Sequence, residues 1–137
     1  MDWKLYSLGA LLLWGIWGFL GKMGSRDLTP KQLLTYSVLG FSLALPFLLW
    51  WAGRELLQVA SGRALSIAVL TGLVSAGASL CYYLAISKGD VSRIVAMTSV
   101  YPVITCVLSV IFLGEHLSWS EGLGIALCLA GVLLLVR

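Results

Sequence analysis

Apolar residues occur in long runs, and the charged residues are collected in the short stretches between those runs. The runs predict helices over about residues 5–21, 32–53, 64–87, 94–114 and 117–136. A helix needs roughly 20 apolar residues to cross a hydrocarbon core about 30 Å thick. The runs also lack the two-residue alternation of a transmembrane barrel strand. The pattern therefore predicts an all-α integral membrane protein with five transmembrane helices in a single domain, residues 1–137.

The composition excludes several other classes of protein. Of the 137 residues, 60% are apolar and only 11% are charged, whereas soluble domains average about 45–50% and about 25%. A soluble domain, a disordered chain or a nucleic-acid-binding surface needs many more charges than these. The lipid bilayer is the expected surrounding, and no nucleic-acid partner is expected.

The basic residues in the short loops predict how the chain lies in the cell membrane. Three of them fall on one side, and six fall on the other: Lys22, Arg26, Lys31, Lys88, Arg93 and Arg137. Because short cytoplasmic loops carry the excess of lysine and arginine, the amino terminus is expected outside and the carboxyl terminus in the cytoplasm. The loops are too short to hold a catalytic domain, so function is expected within or between the helices.

Residues suited to catalysis or to metal binding are sparse. Cys81, Cys106 and Cys128 all lie inside predicted spans, where they are expected to act as small packing residues, and His116 is the single histidine. No pair or cluster has the spacing of a metal site, and no phosphate-binding glycine motif occurs. We therefore expect no enzyme activity, no metal and no cofactor.

The first predicted span combines glycines with two large aromatic residues. Gly15, Gly18 and Gly21 recur at three-residue spacing, and Trp14 and Trp17 lie one turn apart beside them. One interpretation is a groove for helix packing, because small residues let membrane helices approach closely. The other is that the tryptophans form one wall of a substrate cavity.

Two further spans carry polar residues along one face. The third has Ser75, Ser79 and Tyr82, and the fourth has Tyr101 and Thr105. Their hydroxyls either bond back to their own helices or line a wet cavity at mid-membrane, where polar groups are otherwise costly. Kinked helices near the midplane are typical of transporter sites, and two prolines, Pro46 in the second span and Pro102 in the fourth, fall inside predicted spans.

No acidic, basic or histidine residue falls deep inside a predicted span. Proton-coupled carriers place a carboxylate near the midplane, and a multivalent ion would need a buried neutralising partner. The chain therefore favours a neutral or amphipathic small molecule. In the fifth span, Gly124 and Gly131 indicate a helix–helix seam, within one chain or between two.

Several motifs, taken in order, resemble the EamA domain of the drug/metabolite transporter superfamily. They are Trp14-Gly15-Ile16-Trp17-Gly18, Tyr82-Tyr83-Leu84-Ala85-Ile86, Tyr101-Pro102-Val103, Gly114-Glu115, Gly122-Leu123-Gly124 and Ala130-Gly131-Val132. The resemblance implies one five-helix repeat, where most members of the family have two repeats of opposite orientation. It also implies a structural role for Gly114 and Glu115 at the end of the fourth span.

Five helices are too few to enclose a cavity and alternate its access. The leading hypothesis is therefore a homodimer that moves a small neutral or amphipathic metabolite by alternating access. Its cavity would be lined by Trp14, Trp17, Ser75, Ser79, Tyr82, Tyr101 and Thr105, with Pro102 and the glycines of the first span as flexible points.

The resemblance implies antiparallel chains, whereas the charge bias favours one orientation, and a sister subunit of reversed bias would reconcile the two. The alternatives are a subunit of a lipid or lipid-linked sugar flippase, and a non-transporting scaffold or accessory subunit.

Overall fold

Helices make up all the regular structure in the computed structural model, which describes residues 3–58 and 61–136. They are α1 (Trp3–Gly24), α2 (Pro30–Ser42), α3 (Leu45–Ala52), α4 (Gly62–Ile86), α5 (Val91–Thr98), α6 (Tyr101–Leu108) and α7 (Trp119–Val136). A 3₁₀ turn, Gly53–Leu57, follows α3, and a π-helical turn, Ser109–Leu113, follows α6. The predicted all-α fold is confirmed.

Four helical stretches are long and apolar enough to cross a membrane: Trp3–Gly24, Pro30–Leu56, Gly62–Ile86 and Val91–Leu113. The first is longer than the predicted run of residues 5–21, because the helix continues through Lys4 and Lys22. Long lysine side chains can keep their charge at the interface while their stems lie along apolar surface. The apolar stretch of the last helix, Trp119–Leu135, is shorter than the other four, so its role as a fifth span stays a prediction.

Two prolines divide the second and fourth spans into shorter helices. The proline ring clashes with the carbonyl four residues earlier and lacks the N–H that would bond to it. Accordingly α2 ends at Ser42, four residues before Pro46, and α5 ends at Thr98, four residues before Pro102. The interruptions that Pro46 and Pro102 indicate in the sequence therefore occur as breaks in helical structure.

Reciprocal side-chain caps fix where two of the helices begin. Thr29 and Gln32 form a reciprocal capping box at the start of α2. Ser118 and Glu121 form the same reciprocal pair before α7: the Glu121 carboxylate accepts from the Ser118 N–H at 2.8 Å, and the Glu121 N–H donates to Ser118 Oγ at 3.3 Å. Such pairs satisfy backbone donors that have no partner within the helix.

The chain divides into two compact units, Met1–Lys88 and Gly89–Arg137. In the first unit α4 packs against α1 and α2, and in the second α5 packs against α7. The buried hydrophobic residues of the described chain are Leu33, Tyr83, Ile86 and Ala96, whereas most large apolar side chains are exposed. Soluble proteins rarely expose contiguous apolar surface on this scale, so the surface is suited to hydrocarbon.

Gly114 ends the π-helical turn in the left-handed conformation, with φ 69° and ψ 23°. We expect Gly114→Ala to destabilise the protein by about 1–2 kcal/mol, because a Cβ is strained in that conformation. Thermal unfolding in detergent measures the loss. Gly114→Asn should lose less, since asparagine tolerates this region better.

Gly124→Ala is the matched control for that prediction. Gly124 lies inside α7, and no atom of the described residues would lie within 4 Å of an added Cβ except the neighbouring helix backbone. Alanine is the better helix former, so the melting temperature should hold or rise. Equal losses in the two alanine variants would contradict the conformational argument.

Candidate functional site

The helix α1 contacts α4 at two glycines of the predicted groove. Gly18 and Gly21 are the buried residues of α1. A methyl group built at Gly18 would lie 3.0 Å from the Tyr82 hydroxyl oxygen, and one built at Gly21 would lie 3.3 Å from Tyr83 Cε1 and 3.5 Å from Ile86 Cδ1. The glycines therefore let two tyrosines of α4 lie directly against the backbone of α1, as small residues do between membrane helices.

Three aromatic rings, those of Trp17, Tyr82 and Tyr83, meet beside these glycines, and we call them the aromatic cluster. Trp17 stacks on Tyr82 with centroids 4.9 Å apart and planes inclined by 29°. Tyr83 lies 5.7 Å from Trp17 and 6.0 Å from Tyr82, in an edge-on arrangement with the latter. These are the offset and edge-to-face geometries that aromatic pairs prefer.

Within the cluster, Tyr83 is the structural member. It is 1% exposed, and its hydroxyl forms a 2.8 Å hydrogen bond with the hydroxyl of Ser37 on α2. A buried phenol without a partner would carry a desolvation cost, so Ser37 makes the burial of Tyr83 possible. Tyr83 thereby joins α4 to both α1 and α2.

A lysine joins α1 to the carboxyl end of α4. Lys22, in the last turn of α1, donates from Nζ to the backbone carbonyl of Ile86 at 2.8 Å. The last carbonyls of a helix lack intrahelical partners and carry partial negative charge. The Lys22 ammonium therefore satisfies and neutralises the end of α4 close to the aromatic cluster.

The structure brings four of the predicted site and groove residues of the first unit into contact: Trp17, Gly18, Gly21 and Tyr82. Trp14 is 63% exposed and Ser75 is exposed as well. Gly15 has no atom of the described residues within 4 Å of an added Cβ, other than those of its own helix backbone. Gly18 and Gly21 thus lie against α4 and Gly15 does not, and the packing role of the three glycines stays a prediction.

The predicted polar stripes bond at least partly to their own helices. Ser79 Oγ donates to the Ser75 carbonyl at 2.9 Å in α4, and Thr105 Oγ1 lies 3.4 Å from the Tyr101 carbonyl in α6. Tyr101 and Thr105 belong to the second unit, and their assignment to a substrate cavity stays a prediction, as does the role of Pro102 as a flexible point. The same holds for the hinge or packing roles of the α7 glycines, Gly124 and Gly131.

Sequence reasoning missed three residues that hold the aromatic cluster in place: Ser37, Lys22 and Ile86. Ser37 and Tyr83 are 46 positions apart in the chain, and no periodicity relates them. Lys22 does carry a signal, because it directly follows Gly21 and ends an apolar helix, although its charge alone indicates only the start of a loop. Among the described residues, no group of three His, Cys, Asp or Glu side chains is placed to hold a metal ion.

Comparison with known proteins gives matches over the whole chain and over about half of it. The model of the EamA-like transporter family matches residues 1–137. An uncharacterized protein of Methanocaldococcus jannaschii is 29% identical over 131 residues, 96% of this chain and 93% of its own. A Sinorhizobium protein named as an uncharacterized transporter is 35% identical over 74 residues, 54% of this chain and 52% of its own. No solved structure matches the chain significantly.

A larger residue at Gly21 should disrupt the contact between α1 and α4. We expect Gly21→Leu to destabilise the protein by about 1–3 kcal/mol, the usual range for overpacking, because Tyr83 and Ile86 are fully buried and have no room to move. Gly15→Leu is the matched control, because it lies two turns earlier in open space. Thermal unfolding of both variants in detergent tests this, and equal melting temperatures would contradict the packing role of Gly21.

Proposed function

Because the chain belongs to the EamA-like transporter family, as its motifs predicted, we propose that it carries a small neutral or amphipathic metabolite across the membrane. It is a multi-pass membrane protein, and one of its relatives is named as a transporter. These findings support carriage of a solute rather than catalysis. The observation that carries the proposal is the aromatic cluster beside the α1 glycines.

The aromatic cluster has the chemistry of a site for an uncharged or amphipathic molecule. Trp17 keeps 39% of its surface exposed while it stacks on Tyr82, so part of its apolar surface is available to a ligand. Ligand sites are mostly apolar, with a few placed polar groups, and the Tyr82 hydroxyl is one such group. The proposed cavity residues of the first unit are Trp14, Trp17, Ser75, Ser79 and Tyr82.

The proposed mechanism is alternating access by a dimer, with each chain supplying one repeat. Transporters of this kind rock paired repeats about a shared site near the midplane, and residues 1–137 correspond to one such repeat. The family architecture favours two chains of opposite orientation. The charge bias of the loops favours one orientation, which would make the second repeat a sister subunit or a parallel copy.

A second candidate function is a non-transporting membrane scaffold. Its support is the hydrogen bond from Ser79 to the Ser75 carbonyl and the pairing of Tyr83 with Ser37. Polar groups that are satisfied within the protein leave less hydrogen-bonding capacity for a solute. Measurement of solute flux separates this function from carriage.

Solute flux should depend on Trp17. We expect proteoliposomes containing the protein to take up at least one neutral or amphipathic metabolite from a broad panel faster than empty liposomes. Trp17→Ala should lower that uptake by about two- to tenfold, because a ring contact contributes about 0.5–1.5 kcal/mol beyond its area. Trp17→Phe should retain part of the uptake.

Trp119→Ala is the control for loss of a tryptophan, because Trp119 is 93% exposed at the start of α7. It should transport at the normal rate, and thermal unfolding should show that all three variants fold. The transporter proposal would be overturned, and the scaffold favoured, by the absence of flux for every metabolite. In that case the folded Trp17→Ala and Ser79→Ala variants would also show the same flux as the unmodified protein.

The orientation of the chain in the membrane should follow its loop charges. Six basic residues on one side against three on the other lead us to expect one orientation, with the carboxyl terminus in the cytoplasm. Fusing reporters active on only one face of the membrane to the carboxyl terminus measures this. Equal activity on the two faces would contradict the expectation and would establish the two orientations that an antiparallel homodimer needs.

A further inference from the structure

An open groove runs between α6 and α7 in the second unit. Its larger part has a volume of about 490 Å³, and the adjoining part has a volume of about 320 Å³. The two parts share Ser99, Val103 and Cys128, so they form one continuous groove. Ligand sites in proteins have volumes of about 300–1,000 Å³, and the groove lies in that range.

One face of α7 forms the length of this groove. Glu121, Ile125, Cys128, Val132 and Leu135 line it, and they recur at intervals of three or four residues, as residues on one helix face do. With a rise of 1.5 Å per residue, the distance from Glu121 to Leu135 is about 21 Å. The groove is therefore long and narrow.

Two glycines leave the floor of the groove open. Gly124 lines the larger part and Gly131 the smaller one. No atom of the described residues outside their own helix backbone lies within 4 Å of a Cβ added at either position. The spacing of Gly124 and Gly131, which indicated a helix–helix seam in the sequence, thus coincides with the open apolar part of the groove.

One end of the groove is acidic. Glu115, His116 and Glu121 line that end, and the stretch from 115 to 121 contains no lysine or arginine. The capping hydrogen bonds from the Ser118 N–H and hydroxyl hold the Glu121 carboxylate at this end of α7. An anionic head group would meet two carboxylates here, with no lysine or arginine from this stretch to offset them.

We propose that the groove binds a single-chain amphipathic cation, with its ammonium group at Glu115 and Glu121 and its hydrocarbon chain along α7. Charge complementarity selects the ammonium, because hydrogen bonds to charged groups are the strong ones. The length and apolar lining select an extended alkyl chain. This site uses residues of the second unit alone, so it does not rest on the transport function proposed for the aromatic cluster.

The native cysteines provide a direct test, because Cys106 and Cys128 both line the groove, whereas Cys81 belongs to the first unit. The full chain in phosphatidylcholine nanodiscs is labelled with a membrane-permeant maleimide, and the rate at each cysteine is measured by mass spectrometry. Dodecylammonium should slow labelling of Cys106 and Cys128 about tenfold more than dodecyl sulfate at the same low mole fraction. Labelling of Cys81 should not change.

Charge variants test the head-group site. The double variant Glu115→Gln, Glu121→Gln should abolish the preference for dodecylammonium, and glutamine at position 121 can still complete the capping box. Glu55→Gln, outside the second unit, should retain the preference. Equal protection by dodecylammonium and dodecyl sulfate in the unmodified protein would overturn the proposal, since the groove would then take hydrocarbon chains without regard to charge.

Filling the apolar part of the groove with a larger side chain tests the site of the alkyl chain. Gly131→Leu should abolish protection of Cys106, judged against the unliganded rate of the same variant. Gly77→Leu is its control, because Gly77 on α4 is equally open, and protection should persist. If dodecylammonium protects neither Cys106 nor Cys128 in the unmodified protein, that result also overturns the proposal.

Discussion

The first unit depends on the close approach of α1 to α4 at Gly21. In a bilayer, apolar side chains have about the same free energy against lipid as against another helix, so hydrophobicity does not drive helix association. Helices associate instead where small residues allow dense packing. Gly21 allows Tyr83 and Ile86 to become fully buried against α1. The stacking of Trp17 on Tyr82 follows from the same approach, because Gly18 leaves room for the Tyr82 hydroxyl.

Polar groups then make this approach specific. A buried phenol or an exposed helix end is costly in a membrane unless it is satisfied internally. Ser37 satisfies Tyr83, and Lys22 satisfies the end of α4 at the Ile86 carbonyl. Each bond joins two different helices, so together they set the register of α1, α2 and α4 around the aromatic cluster.

The features that follow from local rules could be predicted from the sequence, and those that depend on long-range pairing could not. Pro46 and Pro102 indicated interruptions, and each helix ends four residues earlier because the ring removes a bond at a fixed offset. The α1 glycines indicated a packing groove, yet only the structure shows that side chains of α4 lie against Gly18 and Gly21 and that none lies against Gly15. The partner of Tyr83 lies 46 residues away on another helix, and no spacing rule identifies it. The hydroxyl groups along one face of α4 likewise do not reveal from the sequence that Ser79 donates to a carbonyl of its own helix.

The distribution of charge constrains how a carrier of the proposed kind could be driven. Lys22 is the ammonium next to the aromatic cluster, and it donates to a carbonyl at the end of α4 rather than lying at the midplane. The carboxylates Glu115 and Glu121 belong to the end of a groove in the other unit. Proton coupling needs an ionisable group that alternates between the two sides of the membrane together with the substrate. Because the aromatic cluster consists of neutral residues, this arrangement favours transport driven by the concentration gradient of the solute itself. A coupled ion would have to bind to groups outside the cluster.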